Sequence, residues 1–248
     1  MRRIQHRTRW RNLSDDERKA QIFAEEAKEA SLPKKWRLET VLSIPNVESI
    51  MEAETSDKVK ALIAGLYLTG CRVSELLSHT TSSYQSDHDS IGERLICTTM
   101  TEKNKSSPSR TLVLPCYGPE KKIADYYKGW LKMRDDQIPI FGKKFDRKNA
   151  YYYLHKITFP TRVYSWRLRK SMEIPDFRMY PHYLRHVRIT HLQNIYRFSP
   201  AKIMAFAGWS NLDPLTAYTH LDYSSLGQPF EEYAKRSKQD SVNEDAGD

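Results

Sequence analysis

Four side chains that could bind and attack a phosphate lie close together towards the C-terminal end of the sequence. His182, Arg185, Trp209 and Tyr218 fall within residues 179–222, among apolar residues typical of helices. A tyrosine phenol, with a reference pKa of about 10, is a weak nucleophile unless its proton is removed or its anion is stabilised. The stretch therefore indicates an attack on phosphate that needs further cationic groups from other parts of the chain.

The sequence TGCRVSELL supplies one such group, Arg72. Glu75 follows three residues later, so the two side chains share one face of the helix that this segment predicts. The preceding run KVKALIAGLYLT predicts a buried helix, and Gly70 suits its C-terminal end. Taken alone, Arg72 could equally be a surface residue at a helix end.

Two predicted β-strands, at 94–101 and 111–114, flank the polar turn EKNKSSPSR. This arrangement places Lys103 and Lys105 at the tip of a hairpin. Lysines at hairpin tips are commonly solubilising residues.

Taken together, these fragments resemble the tyrosine recombinase (phage integrase) family. The family's first arginine motif is TG-x-R-x-SEL, matched at Arg72, and its second is H-x-L-R-H, matched from His182. Its nucleophile lies nine residues after a His or Trp that follows a Gly, which is the interval from Trp209 to Tyr218. Each fragment alone is weak, but four in family order are specific. The resemblance covers about residues 38–222.

The resemblance implies cleavage and rejoining of DNA through a covalent 3′-phosphotyrosine. Because that intermediate preserves the phosphodiester energy, rejoining needs no ATP, and arginines take the place that metal ions have in many nucleases. No cofactor or metal is therefore expected. The implied catalytic set has Arg72 and Arg185 as the phosphate clamp, with Glu75 supporting Arg72. Lys103 is the first choice for the general acid, since a mobile ammonium group near a leaving oxygen can serve as one, and Lys105 is the alternative. His182 would serve in proton transfer and phosphate orientation, Trp209 as a phosphate contact and Tyr218 as the nucleophile.

Composition favours a polyanionic partner. The chain has 40 Lys and Arg against 31 Asp and Glu, a net charge of +9, which favours nucleic acid, with an anionic membrane as the alternative. The resemblance to the recombinase family implies that the ligand is double-stranded DNA. No apolar run approaches the roughly 18 residues that a membrane-spanning helix needs, and the N-terminus has no signal-peptide core. We therefore predict a soluble, intracellular, cytoplasmic protein that associates with DNA. Cys71, Cys97 and Cys116 lack metal-ligand spacing and are predicted to be reduced structural thiols.

Two regions have the composition of DNA-contacting segments. Residues 1–11 carry five arginines and no acid, which fits either a DNA-binding arm or a solvated terminus. Residues 143–170 contain nine Lys and Arg and one acid, interleaved with aromatic residues. Within them, the tyrosine run at 151–153 should turn at least one ring inward. The predicted DNA contacts are Arg2, Arg3, Arg7, Arg9, Arg11, Lys143, Lys144, Arg147, Lys148, Arg162, Arg167 and Arg169.

The predicted fold class is α+β, mainly α-helical, with a small antiparallel β-sheet. We expect three regions: a basic N-terminal arm and helix at 1–37, a catalytic domain at 38–228, and an acidic tail at 229–248 that docks on a protomer before becoming disordered. The family usually carries a separate core-binding domain before the catalytic one, whereas fewer than 40 residues precede Leu38 here. A dimer or tetramer on DNA is the expected assembly.

Three alternatives remain open from the sequence. Tyr223 is a rival nucleophile, although only Tyr218 fits the nine-residue interval. A type IB topoisomerase-like enzyme would use the same chemistry to relax supercoils without exchanging strands. A DNA-binding protein that keeps the fold without cutting is the third, and the presence of all the motif residues speaks against it.

Overall fold

The computed structural model describes residues 36–38, 41–101, 109–165, 170–211 and 214. Only the backbone is described for 36–38, 163–165, 170 and 172. Several predicted residues therefore lie outside the described ranges: the five arginines of residues 1–11, Lys103, Lys105, Arg167, Arg169, Tyr218, Tyr223 and the tail from residue 229.

The described helices account for most of the ordered secondary structure. Short 3-10 helices occur at Thr81–Ser83 and Gly118–Glu120. The α-helices are α1 (Ile44–Ala53), α2 (Asp57–Thr69), α3 (Val73–Leu77), α4 (Lys121–Lys132), α5 (Arg147–Leu154), α6 (Pro181–Asn194) and α7 (Pro200–Ala207).

Helix α2 lies at the centre of the core. Ten of its 13 residues are buried, because apolar residues surround the helix instead of forming a single stripe. It packs against α4 and α6, so both flanking helices take their position from it. The helix ends at Gly70, whose φ of 56° lies in the left-handed region that glycine adopts without a Cβ penalty. The sequence predicts both the buried helix and its end.

Two three-stranded antiparallel sheets flank the helices. The first has the order β2 (Tyr84–His88), β3 (Glu93–Met100), β4 (Ser109–Pro115), and the second has the order β1 (Trp36–Leu38), β5 (Thr158–Ser165), β6 (Lys170–Arg178). The predicted α+β class is therefore confirmed, with two small sheets where the sequence indicated one. Strand β2 is polar and lies at an edge, so it lacks the alternation that would predict it.

Helix α4 buries one face, which includes Ile123, Tyr127, Trp130 and Leu131. The expectation for the tyrosine run 151–153 is wrong, because none of the three rings is buried. Ala150 and Leu154 occupy the inward face of α5 instead. Tyr151 and Tyr152 are half-buried and Tyr153 is exposed. Lys156 Nζ lies 4.1 Å from the centre of the Tyr152 ring.

The three cysteines are buried and form no disulfide, as the sequence predicts. No described helix is long and apolar enough to cross a membrane. The chain divides into two compact units, 1–212 and 213–248. All the elements named above belong to the first unit, and residue 214 is the only described residue of the second.

His79 is a buried histidine between α3 and the first sheet. It is 3% exposed, and its ring nitrogens lie 2.7 Å from the Tyr84 hydroxyl and 2.8 Å from the Thr99 hydroxyl. Burial lowers the pKa of His79 to about 4, because the charged form loses its hydration. The folded protein therefore favours the neutral ring.

We expect His79 to make stability fall on acidification. The folded-state pKa lies below the unfolded value of about 6.5, so the stabilisation is complete above that pH and is lost between about pH 6.5 and 4. The loss should be on the order of 3 kcal/mol. Urea unfolding at pH 7 and pH 4 measures it against His79→Gln, which keeps hydrogen-bonding groups but does not titrate. Equal pH dependence in the two proteins would contradict the assignment.

Candidate active site

Arg72 lies in the turn between α2 and α3. Its backbone N–H donates to Glu75 Oε2 at 2.9 Å, and its Nη1 donates to Glu75 Oε1 at 2.8 Å. Glu75 is buried, whereas the Arg72 side chain is 23% exposed. In the described part of the chain, the other guanidinium nitrogens of Arg72 make no hydrogen bond. The carboxylate therefore fixes one edge of a guanidinium whose other edge is available to a ligand.

Arg185 lies on α6 and connects two helix ends. Its Nη1 donates to the Gly70 carbonyl oxygen at 2.6 Å, and its Nη2 donates to the Ala207 carbonyl oxygen at 2.7 Å. The side chain is only 1% exposed. Since Gly70 ends α2 and Ala207 ends α7, Arg185 satisfies carbonyl groups that helix ends leave without intrahelical partners. It thereby brings the Arg72 turn and the turn after α7 to one place.

Trp209 follows the end of α7. Gly208 has a left-handed φ of 67°, and a Cβ on it would lie 2.5 Å from Arg110 Nη1 and 2.7 Å from Thr101 Cγ2. Only glycine fits both the backbone angle and this close approach. The half-buried Trp209 ring has its centre 5.8 Å from the Arg185 guanidinium carbon. The base of the β3–β4 hairpin therefore packs against the same turn that presents Trp209.

His182 lies in the first turn of α6, three residues before Arg185. Pro181 begins the helix, where its missing N–H leaves no hydrogen bond unmade. The residues on either side, Pro181 and Tyr183, are buried, whereas His182 is exposed. Helical periodicity places His182 and Arg185 on neighbouring positions of one face. An exposed imidazole therefore stands one turn from the buried guanidinium.

Arg110 is a site residue that motif reasoning missed. It lies on β4, is 8% exposed, and its Nη2 donates to the second oxygen of Glu75 at 2.9 Å. Buried positions in β4 are Arg110, Leu112 and Leu114, which alternate as one face of a strand. An arginine in an otherwise apolar inward-facing series was the sequence signal, because a buried charge requires a partner.

A second buried ion pair lies behind the site. Arg188, one turn after Arg185 on α6, pairs through Nη1 with Glu120, and both side chains are at most 2% exposed. The Tyr67 hydroxyl donates to the same Glu120 oxygen at 2.8 Å and lies 3.0 Å from His191 Nδ1. Burial raises the pKa of Tyr67 far above its usual value. The network ties α2, α6 and the start of α4 together, and no sequence motif indicated it.

The described members of the predicted DNA-contact set are all exposed. Lys143 and Lys144 line a cleft of about 340 Å³ together with Lys58, at the beginning of α2. Arg72 follows the opposite end of α2. At a rise of 1.5 Å per residue, that end lies about 18 Å from Lys58. The contact of Lys143 and Lys144 with DNA stays a prediction. The other exposed members are Arg147 and Lys148 on α5, and Arg162 on β5.

The fold and this arrangement define an α+β domain in which Arg185 on α6 connects the turn that carries Arg72 with the turn that carries Trp209, and His182 lies one helical turn before Arg185. Residues 40–225 match the Phage integrase family. The chain therefore belongs to that family, as the sequence motifs predict.

Curated relatives are tyrosine recombinases. The chain is 29% identical over 182 residues to tyrosine recombinase XerC of Bacillus pumilus, covering 72% of this chain and 54% of the relative. It is 26% identical over 225 residues to tyrosine recombinase XerD of Chlamydia trachomatis, covering 82% and 65% respectively. The chain thus spans less than two thirds of the length of either relative.

Solved structures share the fold. The crystal structure of XerA recombinase has a TM-score of 0.54 at 17% identity, covering 90% of this chain and 78% of that one. The XerH site-specific recombinase, in a pre-cleavage complex with its difH substrate, has a TM-score of 0.52 at 21% identity, covering 82% and 55%. At these identities the likeness establishes the architecture.

Proposed function

We propose that this protein is a site-specific DNA recombinase that cleaves and rejoins DNA through a covalent 3′-phosphotyrosine at Tyr218. The single observation that carries the proposal is the position of Arg185. Its two hydrogen bonds hold the end of α2, which leads to Arg72, beside the end of α7, which leads to Trp209. Family membership supports the same activity.

The proposed chemistry divides between these groups. Arg72 binds a non-bridging oxygen of the scissile phosphate with the edge that Glu75 leaves open, and the charge of Arg185 beside it stabilises the pentavalent transition state. His182, exposed on the first turn of α6, orients the phosphate and accepts the proton that the Tyr218 phenol loses as it attacks. The Tyr218 oxygen forms a bond to phosphorus as the 5′ oxygen leaves.

A lysine from the β3–β4 hairpin is the proposed general acid that protonates this 5′ oxygen. Thr101, at the end of β3, contacts the Gly208 turn. Because Thr101 and Ser109 flank the segment that contains Lys103 and Lys105, the hairpin begins beside the site. Lys103 remains the first choice and Lys105 the alternative.

The proposed partner is double-stranded DNA, bound by a dimer or tetramer of the chain inside the cell. The net charge of +9 supports this partner, since neutralising phosphates releases counterions. The acidic tail and the two predicted DNA-contact regions belong to the proposal on the same grounds of composition.

The activity is tested by trapping the covalent adduct. DNA fragments bound by the protein are first sequenced to find its site, and a duplex of that site with a nick beside the scissile phosphate is then incubated with the wild type. We expect a protein–DNA adduct that resists denaturant, and peptide mass spectrometry should locate it at Tyr218. DNA binding without any adduct would support a non-cleaving protein. Relaxation of supercoiled plasmid without strand exchange would support the topoisomerase alternative.

Replacing Arg72 by Ala should lower the single-turnover cleavage rate by about 10²–10³-fold, or roughly 2.7–4 kcal/mol, by analogy with the loss of one oxyanion-hole donor. Arg72→Lys should also be impaired, because an ammonium group cannot form the fork. The matched control is Lys122→Ala, which also removes one positive charge but from a side chain that is 71% exposed on α4. Equal losses in Arg72→Ala and Lys122→Ala would contradict a phosphate-clamp role.

A further inference from the structure

We infer that Arg110 is a positioning residue for the cleavage reaction, acting through Glu75 on Arg72 and through Gly208 on the turn that carries Trp209. This inference rests on the proposed recombinase function. It concerns a buried side chain on β4 that lies behind the groups assigned to the phosphate.

Arg72 and Arg110 share the carboxylate of Glu75. Glu75 accepts from Arg72 Nη1 through Oε1 at 2.8 Å and from Arg110 Nη2 through Oε2 at 2.9 Å. The Glu75 side chain is fully buried, the Arg110 side chain is 6% exposed, and the Arg72 side chain is 23% exposed. Only Arg72 therefore reaches solvent, and Arg110 holds the far side of the carboxylate that orients it.

The charge of Glu75 depends on its two arginine partners. Burial by itself would raise the pKa of Glu75, but the hydrogen bond and charge of Arg110, followed by the hydrogen bonds of Arg72, hold this pKa below its usual value. The other titratable groups that face Glu75 in the described part of the chain are Cys71 and His79. Without Arg110, Glu75 would be a buried carboxylate whose one side-chain partner, Arg72, is partly exposed. Protonation of Glu75 would then release Arg72.

Arg110 also contacts the turn after α7, at Gly208. Arg110 Nη1 and its guanidinium carbon lie 2.5 and 3.1 Å from where a Gly208 Cβ would stand. Arg110 Nε and Nη1 are buried and donate no hydrogen bond to the described residues, and this edge packs against the Gly208 turn. A planar guanidinium thus separates the Arg72 turn from the Trp209 turn and sets their spacing.

Arg110 should affect catalysis by fixing the positions of the reacting groups. A displacement of about 1 Å at a reacting group can reduce a rate by up to roughly 100-fold. Since Arg110 has almost no exposed surface, we expect it to make no contact with DNA. Its loss should therefore lower the rate of cleavage at saturating protein and leave the affinity for DNA unchanged.

The test compares Arg110→Gln, Glu75→Gln, the double variant and the wild type in the full-length chain. A carboxyl ¹³C NMR titration follows Glu75, assigned by the loss of its signal in Glu75→Gln. We expect Glu75 to titrate at higher pH in Arg110→Gln than in the wild type. Arg110→Lys, which keeps the charge, should restore most of the low value. An unchanged titration in Arg110→Gln would overturn the inference.

Single-turnover cleavage of the nicked duplex supplies the second readout. Arg110→Gln should be slower by up to about 100-fold and should lose further rate on acidification at a pH where the wild type does not. In the Glu75→Gln background, Arg110→Gln should create no acidic limb and should cost less than in the wild-type background, the remainder coming from its contact with the Gly208 turn. Losses that multiply in the double variant would show that Arg110 acts independently of Glu75, against the inference.

Two further outcomes are distinguishable. If the wild type forms no adduct on its bound site, the proposed recombinase function fails, while the NMR titration still decides whether Arg110 controls Glu75. If Arg110→Gln does not fold, Arg110→Lys replaces it in both readouts. The lysine variant should then keep the ionised Glu75 and cleave at a rate between those of the wild type and Glu75→Gln.

Discussion

Tyr218→Phe should abolish the covalent adduct completely. Removal of the phenolic oxygen removes the atom that bonds to phosphorus, and no neighbouring water can form a protein–DNA bond in its place. Binding to the same duplex should be unchanged, because the substitution removes a hydroxyl and no charge. Denaturing gel electrophoresis measures the adduct, and fluorescence anisotropy measures the affinity.

Tyr223→Phe is the matched control for this prediction, since it removes the same oxygen five residues further along the chain. We expect this control to form the adduct at the wild-type rate. An adduct in Tyr218→Phe together with none in Tyr223→Phe would move the nucleophile to Tyr223. A residual adduct in both would place the reacting side chain elsewhere.

Glu120→Gln should destabilise the protein by about 3–5 kcal/mol, the typical cost of breaking a buried ion pair at one partner. The substitution keeps the shape of the side chain but leaves the Arg188 charge buried, with both side chains at most 2% exposed. The Tyr67 hydroxyl also loses the carboxylate to which it donates at 2.8 Å. Urea unfolding followed by circular dichroism measures the loss.

Asp125→Asn on α4, the helix that begins directly after Glu120, is the control, because it breaks an exposed ion pair. Its partner Lys121 and Asp125 itself have side chains that are 62% and 42% exposed. Exposed helical pairs contribute only about 0.3–0.5 kcal/mol. Glu120→Gln combined with Arg188→Met should recover much of the stability, since the uncompensated charge is then removed. A double variant as unstable as Glu120→Gln would assign the cost to packing instead of charge.

The buried helix α2 and its end at Gly70 followed from local pattern. A continuous apolar run with a terminal glycine specifies a buried helix that stops, and it does so without reference to the remainder of the chain. The strands of the second sheet did not follow. Residues 143–170 are dominated by charge and aromatic composition, which indicates a ligand but hides the period that would predict β5.

The tyrosine run at 151–153 illustrates the same limit. Composition indicated that one ring would turn inward, but the small Ala150 and the apolar Leu154 fill the inward face of α5. The choice between neighbours depends on the space that α2 and α3 leave against this helix. Such space is a property of the packed fold.

The sequence by itself determined the family and predicted the groups that would carry the chemistry, because those groups lie in short motifs whose residue types suit the reaction. Only the tertiary structure decided how the motifs are held together. Arg185 bonds to carbonyl groups 115 and 22 residues away, and Arg110 reaches Glu75 from a strand 35 residues later. No local pattern records such pairings, since they depend on which buried donors and acceptors meet when the helices and the hairpin pack.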